Sequence, residues 1–412
     1  RTINVQNPFL KCFSKVLMNR LTKFAEDKKL LPDEQYGYRA KRSTFGAVAL
    51  LHEIIRSRLQ AKQRTYVAFV DFTKAFDTID RTLLFSKLQK MSIPYKLCAT
   101  LFYVFNNIKM YLKAGDSQSE PFQSNIGGPQ GDVSSALLFS LFISDIVHYI
   151  PKIGPKINDV IVSTILYADD MCLIAKSQGD LQQMLDALES YCDSNKLTVN
   201  VAKTKIMVFH RGRLPEESCG YFYRGEGLEI VSSFCYLGFW LKVQLSFTRH
   251  LEATIAKARA RIGLLFAKLP LMHIPLQLTI DVFEMYIAPL FAYGLALWTT
   301  QVSNSALQAL DAVWTKFLKR YLCLPTSTNN AMTLFITGTQ PLSKYLQCQA
   351  LHRRNGLTFP SSLSGMKLSF LENTSRNVEP YNPIPLIPTV FWCSRAVESI
   401  PATKFYRKKL MH

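Results

Sequence analysis

Ile165-Leu166-Tyr167-Ala168-Asp169-Asp170-Met171-Cys172-Leu173-Ile174 sets two adjacent aspartates between two apolar runs. Both runs are rich in strand-forming residues and the polar break is short. The stretch therefore reads as two buried strands joined by a tight turn. Carboxylates held side by side at such a turn repel each other. A divalent cation removes that cost, and two-ion sites catalyse phosphoryl and nucleotidyl transfer. Such a site needs a third carboxylate from elsewhere in the chain.

Thr65-Tyr66-Val67-Ala68-Phe69-Val70-Asp71 supplies it. A continuous apolar run ending in an acid reads as a buried strand with Asp71 at the rim of a sheet. Taken singly, the two motifs are a strand terminus and a hydrated turn. Taken together, in this order, they point to a metal-dependent polymerase site built from Asp71, Asp169 and Asp170.

The 412 residues carry a formal net charge of +19, and 48% are hydrophobic. A folded protein with a polyanionic partner fits both numbers, because Lys and Arg gain affinity by releasing counterions from phosphates. The excess is uneven: residues 1–65 hold 14 Lys or Arg against 5 Asp or Glu. A groove for a template strand and a triphosphate needs such a basic front. The nine cysteines are scattered with no CxxC pair, which supports neither a disulfide framework nor a zinc site and suggests an intracellular, reducing setting. The chain starts at Arg1 without an apolar leader and reads as a piece of something longer. Ile287–Trp298 is too short to span a bilayer.

Helices are expected over residues 9–30, from Thr44 to Arg58, after Asp77 as cap, from about Val133 to Ile150, and after Asp180 as cap. Ile206–Phe209 and Cys235–Leu241 read as strands. Beyond residue 245 three helices are expected near 247–268, 276–298 and 304–322. Residues past 355 are rich in Pro, Ser and Asn and read as loops.

Val70-Asp71-Phe72-Thr73-Lys74-Ala75-Phe76-Asp77, Gly128-Pro129-Gln130-Gly131 and Tyr167-Ala168-Asp169-Asp170 resemble, in order, three core motifs of reverse transcriptases, and in particular those of non-LTR (LINE-type) retrotransposons. Gln35-Tyr36-Gly37-Tyr38-Arg39 with Arg42-Ser43-Thr44 upstream, and Tyr236-Leu237-Gly238 downstream, agree with this. After Gly131 the chain departs from the pattern: Asp132-Val133-Ser134-Ser135-Ala136 stands where relatives commonly have Leu-Ser-Pro.

The resemblance implies an α+β right-hand polymerase. Its fingers would be residues 1–64, its antiparallel-sheet palm with inserted fingers elements 65–243, its helical thumb 244–345, and a loop-rich extension 346–412. The implied reaction is addition of dNTPs to a primer 3′-hydroxyl on an RNA template. The implied partners are a DNA primer and the element RNA as a ribonucleoprotein, with no membrane; the implied place of action is the nucleus, with the cytoplasm as the alternative.

Asp71, Asp169 and Asp170 would hold two Mg2+ ions, with Mn2+ as a substitute. Lys203 resembles the family lysine that protonates pyrophosphate, though an exposed surface lysine accounts for it equally. Phe72, Phe76, Gln130, Gly131 and Arg39 fall at nucleotide-binding positions. Phe76 matches the bulky group that excludes a 2′-hydroxyl, and Arg39, Lys41 and Arg42 suit triphosphate or template. Tyr236, Leu237 and Gly238 match the turn that positions the primer end. Two rivals stand beside this reading. One is a catalytically inactive nucleic-acid-binding remnant of a decayed element. The other is an RNA-dependent RNA polymerase, which Phe76 disfavours.

Overall fold

The computed structural model describes residues 7–123, 127, 133–157, 159–212, 220–298 and 302–353. The chain divides into two compact units, the first closing at Ser246 and the second opening at Phe247.

The first unit starts with α1 (Pro8–Asp27), whose cap Asn7 accepts from Phe9 N–H, and α2 (Thr44–Gln60), whose cap Ser43 accepts from Gly46 N–H. α1 turns Leu17, Met18, Leu21 and Ala25 inward. Phe13 and Val16 on the same helix are exposed. β1 (Thr65–Val70) follows, then α3 (Arg81–Lys90) and α4 (Tyr95–Asn107). A small ladder pairs β2 (Lys113–Ala114) with β3 (Ser117–Gln118).

Next come α5 (Val133–Phe142), α6 (Ile146–Tyr149), and the ladder of β4 (Lys156–Ile157) with β5 (Val160–Ile161). The hairpin β6 (Thr164–Tyr167) and β7 (Asp170–Ala175) leads into α7 (Gln178–Asn195). β8 (Lys205–Phe209), β9 (Tyr221–Tyr223), β10 (Glu226–Ile230), β11 (Ser233–Tyr236) and β12 (Phe239–Lys242) complete the unit.

The main sheet runs β6-β7-β1-β8-β10-β9. Its pairs are antiparallel except β10 with β8. β1 is therefore interior. Ala68 and Val70 join Leu137, Phe139, Met171, Leu173 and Leu185 in the core on one face. By strand alternation Val67 and Phe69 turn to the other face, where Phe69 stacks on Phe234 at 4.4 Å between ring centroids. Burial on both faces explains why these strands are unbroken apolar runs.

Several expectations are corrected. α3 is capped by Asp80, which accepts from Leu83 N–H, and not by Asp77. α7 is capped by Ser177, with Asp180 in its first turn. The helix expected to reach Ile150 breaks after Phe142. Cys235–Leu241 is a hairpin rather than one strand, because Leu237 and Gly238 both take positive φ (47° and 80°) and reverse the chain.

The second unit is helical: α8 (Thr248–Lys268), α9 (Leu276–Tyr286), α10 (Ala288–Ala292), α11 (Leu295–Trp298), α12 (Asn304–Tyr321), α13 (Asn330–Thr337) and α14 (Leu342–Arg353). Its core is aromatic. Phe283 packs on Trp314 and Phe317 with centroids 4.5 and 4.9 Å away. The single helix expected over 276–298 is three, because Pro289 starts a new helix and Gly294, at φ 68°, turns the chain between the last two. Among the described residues no helix is long and apolar enough to cross a membrane.

Candidate active site

β1 and β7 pair Phe69 with Cys172 and Val70 with Met171. One step further, Asp71 and Asp170 come opposite each other where the two strands end. Alternation sends both to the face that carries Phe69. On the other flank β8 pairs Phe69 with Lys205, which brings Lys203 beside Asp71. Lys203 Nζ lies 3.8 Å from Asp71 Oδ2. The backbone of Asp71 is pinned at both ends: its N–H donates to Thr204 Oγ1 at 3.2 Å, and its carbonyl accepts from Asn200 N–H at 2.7 Å.

Asp169 sits in the turn between β6 and β7, where Tyr167 pairs with Asp170 and Ala168 takes φ 55°. Asp170 is open to solvent. Its carboxyl is nonetheless raised from 3.8 to about 6 by desolvation and by the like charges of Asp169 and Asp71. The three acids share one electrostatic neighbourhood.

Asp71 and Asp170 open into a cleft of about 400 Å3 whose lining also includes Lys203, Phe234, Tyr236 and Leu237. Tyr236 is buried, with its ring 5.2 Å from Phe69. Leu237 and Gly238 form the turn beyond it.

The remaining sequence candidates are spread around this cleft. Phe76 is half-buried, with its ring 5.0 Å from Phe139 of α5. Phe72 is buried and bridges Val199. Arg39 is committed within the fold: Nε and Nη2 donate to Glu26 at 2.9 and 2.8 Å, and Nη1 donates to Pro32 O at 2.7 Å. Contact with a triphosphate would have to break that bidentate pair. Arg42 likewise bonds Asp33 and lies over the Tyr36 ring. Gln130 and Gly131 fall outside the described residues.

One contributor escapes sequence reasoning. Gln35 Oε1 accepts from Ala168 N–H at 2.9 Å and from Gly37 N–H at 2.8 Å. No local pattern announces a contact across more than a hundred residues.

The sequence profile of the family described as "Reverse transcriptase (RNA-dependent DNA polymerase)" matches residues 1–241, more than half of the chain. The chain belongs to the reverse transcriptase family. Among relatives of this family, the "Probable RNA-directed DNA polymerase from transposon BS" of Drosophila melanogaster is 28% identical over 305 residues, 72% of this chain and 33% of its own length. The "RNA-directed DNA polymerase from mobile element jockey" of the same species is 26% identical over 325 residues, 75% of this chain and 34% of its own. The chain thus spans about a third of the length of these two relatives. Apo telomerase from Candida tropicalis superposes with a TM-score of 0.43 at 12% identity, over 87% of this chain and 60% of that one. The α+β architecture and mainly antiparallel sheet expected for the family are present.

The family implies a divalent cation, and the donors suit one: hard carboxylate oxygens whose mutual repulsion, felt at Asp170, a cation would relieve. Among the described residues no group of three His, Cys, Asp or Glu side chains forms a ready-made cage.

Proposed function

We propose that the first unit is the catalytic core of an RNA-directed DNA polymerase of a non-LTR retrotransposon, adding dNTPs to a primer 3′-hydroxyl. The observation that carries this reading is the placement of Asp71 opposite Asp170, beside the Asp169 turn, in an open cleft. The sheet is then the palm, the basic elements before it belong to the fingers, and the second unit is the thumb.

Asp71, Asp169 and Asp170 are the groups that would hold two Mg2+ ions, which when bound would acidify the primer hydroxyl and neutralise the triphosphate. Lys203, at the rim of the same cleft, is placed to hold a proton for the leaving pyrophosphate. Phe76, fixed against Phe139, supplies bulk beneath the sugar. Tyr236 and Leu237, which line the cleft, and Gly238 beside them position the primer end. RNA is the template, the element's own RNA is the standing partner, and chromatin in the nucleus is the place of action.

Primer extension on poly(rA)/oligo(dT) with Mg2+ and dTTP tests this. Extension by the wild-type chain, lost in Asp169→Asn, is expected. Nucleic-acid binding without extension, unchanged by Asp169→Asn, would make the chain an inactive remnant. Preference for rNTPs would make it an RNA polymerase.

A further inference from the structure

The strand β6 lies at the edge of the main sheet. An edge strand presents backbone donors and acceptors that need partners. The segment before α2 provides them. Leu166 N–H donates to Glu34 O at 2.9 Å, and Tyr36 N–H donates to Leu166 O at 2.7 Å, so Gln35 bridges Leu166 as a one-residue parallel strand. Two residues on, at Ala168, the backbone of this segment no longer reaches and a side chain takes over. Gln35 Oε1 accepts from Ala168 N–H, and the same oxygen accepts from Gly37 N–H. Two N–H donors on one atom also settle which end of the amide is oxygen.

Four further facts make this more than a packing contact. Gln35 is fully buried. Its Nε2 is buried with no hydrogen-bond partner among the described residues. An orphaned buried donor is costly, so what the position gains from glutamine is the acceptor. Ala168 holds φ 55°, a left-handed conformation that is unfavourable for a residue with a Cβ. Gly37 is pressed against the same turn: a Cβ there would lie 2.5 Å from Ala168 N and 3.0 Å from Gln35 Oε1. Only glycine lets the segment close on the turn.

Ala168 immediately precedes the two aspartates. We propose that Gln35 is the positioning residue of the Asp169-Asp170 turn, its side-chain carbonyl standing in for a missing strand partner, and that Gly37 is the clearance this contact requires. Gln35 touches neither substrate nor ion; it acts through Ala168. The inference rests on the proposed polymerase reading for its consequence and on geometry alone for its existence, and the experiment separates the two.

Amide hydrogen exchange by NMR on the wild-type chain comes first. Ala168 N–H should be protected like a strand amide, at least about a hundredfold over an exposed turn amide. Free exchange at Ala168 would overturn the proposal with no variant needed. In Gln35→Met, which keeps the volume and removes the acceptor, protection at Ala168 and Gly37 should fall about tenfold or more while core amides such as Ile206 keep theirs.

Mn2+ affinity by electron paramagnetic resonance should fall about tenfold in the same variant, and kcat of primer extension by a similar factor, with KM for primer–template within about twofold. Unchanged Ala168 exchange and Mn2+ affinity in a folded Gln35→Met chain would overturn the positioning role. A wild-type chain that binds Mn2+ yet never extends a primer would overturn the polymerase reading and leave the exchange result standing.

Discussion

Lys203 Nζ lies 3.8 Å from Asp71 Oδ2, an ion pair across the mouth of the cleft with side chains 63% and 37% exposed. At that exposure a pair contributes at most about 1 kcal/mol to stability. Its position is the informative part: β8 and β7 flank β1, so Asp71 has a cation on one side and a carboxylate on the other. A charge set at a cleft with little to gain in stability is better explained by what enters the cleft.

Lys203→Ala should therefore leave the melting temperature nearly unchanged and slow primer extension by about a hundredfold, the usual weight of one proton donor. Paired melts and single-nucleotide kinetics check it. A large loss of stability with unaltered extension would assign Lys203 to the fold.

Asp170 keeps an exposed face, and partial desolvation together with the like charges of Asp169 and Asp71 raises it to about 6. A folded carboxyl above its unfolded value stabilises the protein when protonated, and that contribution disappears as pH rises through about 6. Because the group is solvent-open, the screened loss is about 1 kcal/mol between pH 5 and pH 8. Urea midpoints without metal should show that loss in the wild-type chain and not in Asp170→Asn. Millimolar Mg2+ should recover it at pH 8.

Acid should destabilise both units for another reason. His52 in α2 is pushed down to about 3 by burial and by Arg56, and His250 in α8 to about 4 by burial. Depressed histidines leave stability complete above about pH 6.5 and withdraw it below, by about 2 kcal/mol each at pH 5. Urea midpoints at pH 7.5 and 5 measure it. His250→Gln should flatten the fall in the second unit.

Phe76 packs on Phe139 at 5.0 Å between ring centroids. Phe76→Ala should lower the dNTP over rNTP preference by about tenfold or more. An unchanged ratio in competition assays would remove Phe76 from sugar selection.

The carboxylate pair at the turn and the acid ending β1 were legible because burial on both faces forces unbroken apolar runs, and an acid can end such a run only at the rim. Their adjacency was not legible, since it depends on the β1–β7 register. The caps were misplaced where two acceptors compete: Asp77 and Asp80, or Ser177 and Asp180, suit a cap equally until the backbone chooses. The β11–β12 reversal was legible only through the resemblance of Tyr236-Leu237-Gly238 to a turn; the apolar pattern missed it because Leu237 carries no turn signature and only Gly238 marks the bend. Arg39 looked available because nothing local reveals Glu26, thirteen residues back at the end of α1. Gln35 belongs to a recognisable motif but its contact is tertiary, and tertiary contacts leave no period in a sequence.

Mn2+ titration followed by electron paramagnetic resonance, on the wild-type chain and on Asp71→Asn, Asp169→Asn and Asp170→Asn, tests the central claim most directly. Removal of any one carboxylate should weaken binding about tenfold or more, and double substitutions should lose less than the sum, because the three act on the same ions. Equal affinity in wild-type and Asp71→Asn chains would mean that the strand acid and the turn acids do not share metal, and the account would be wrong.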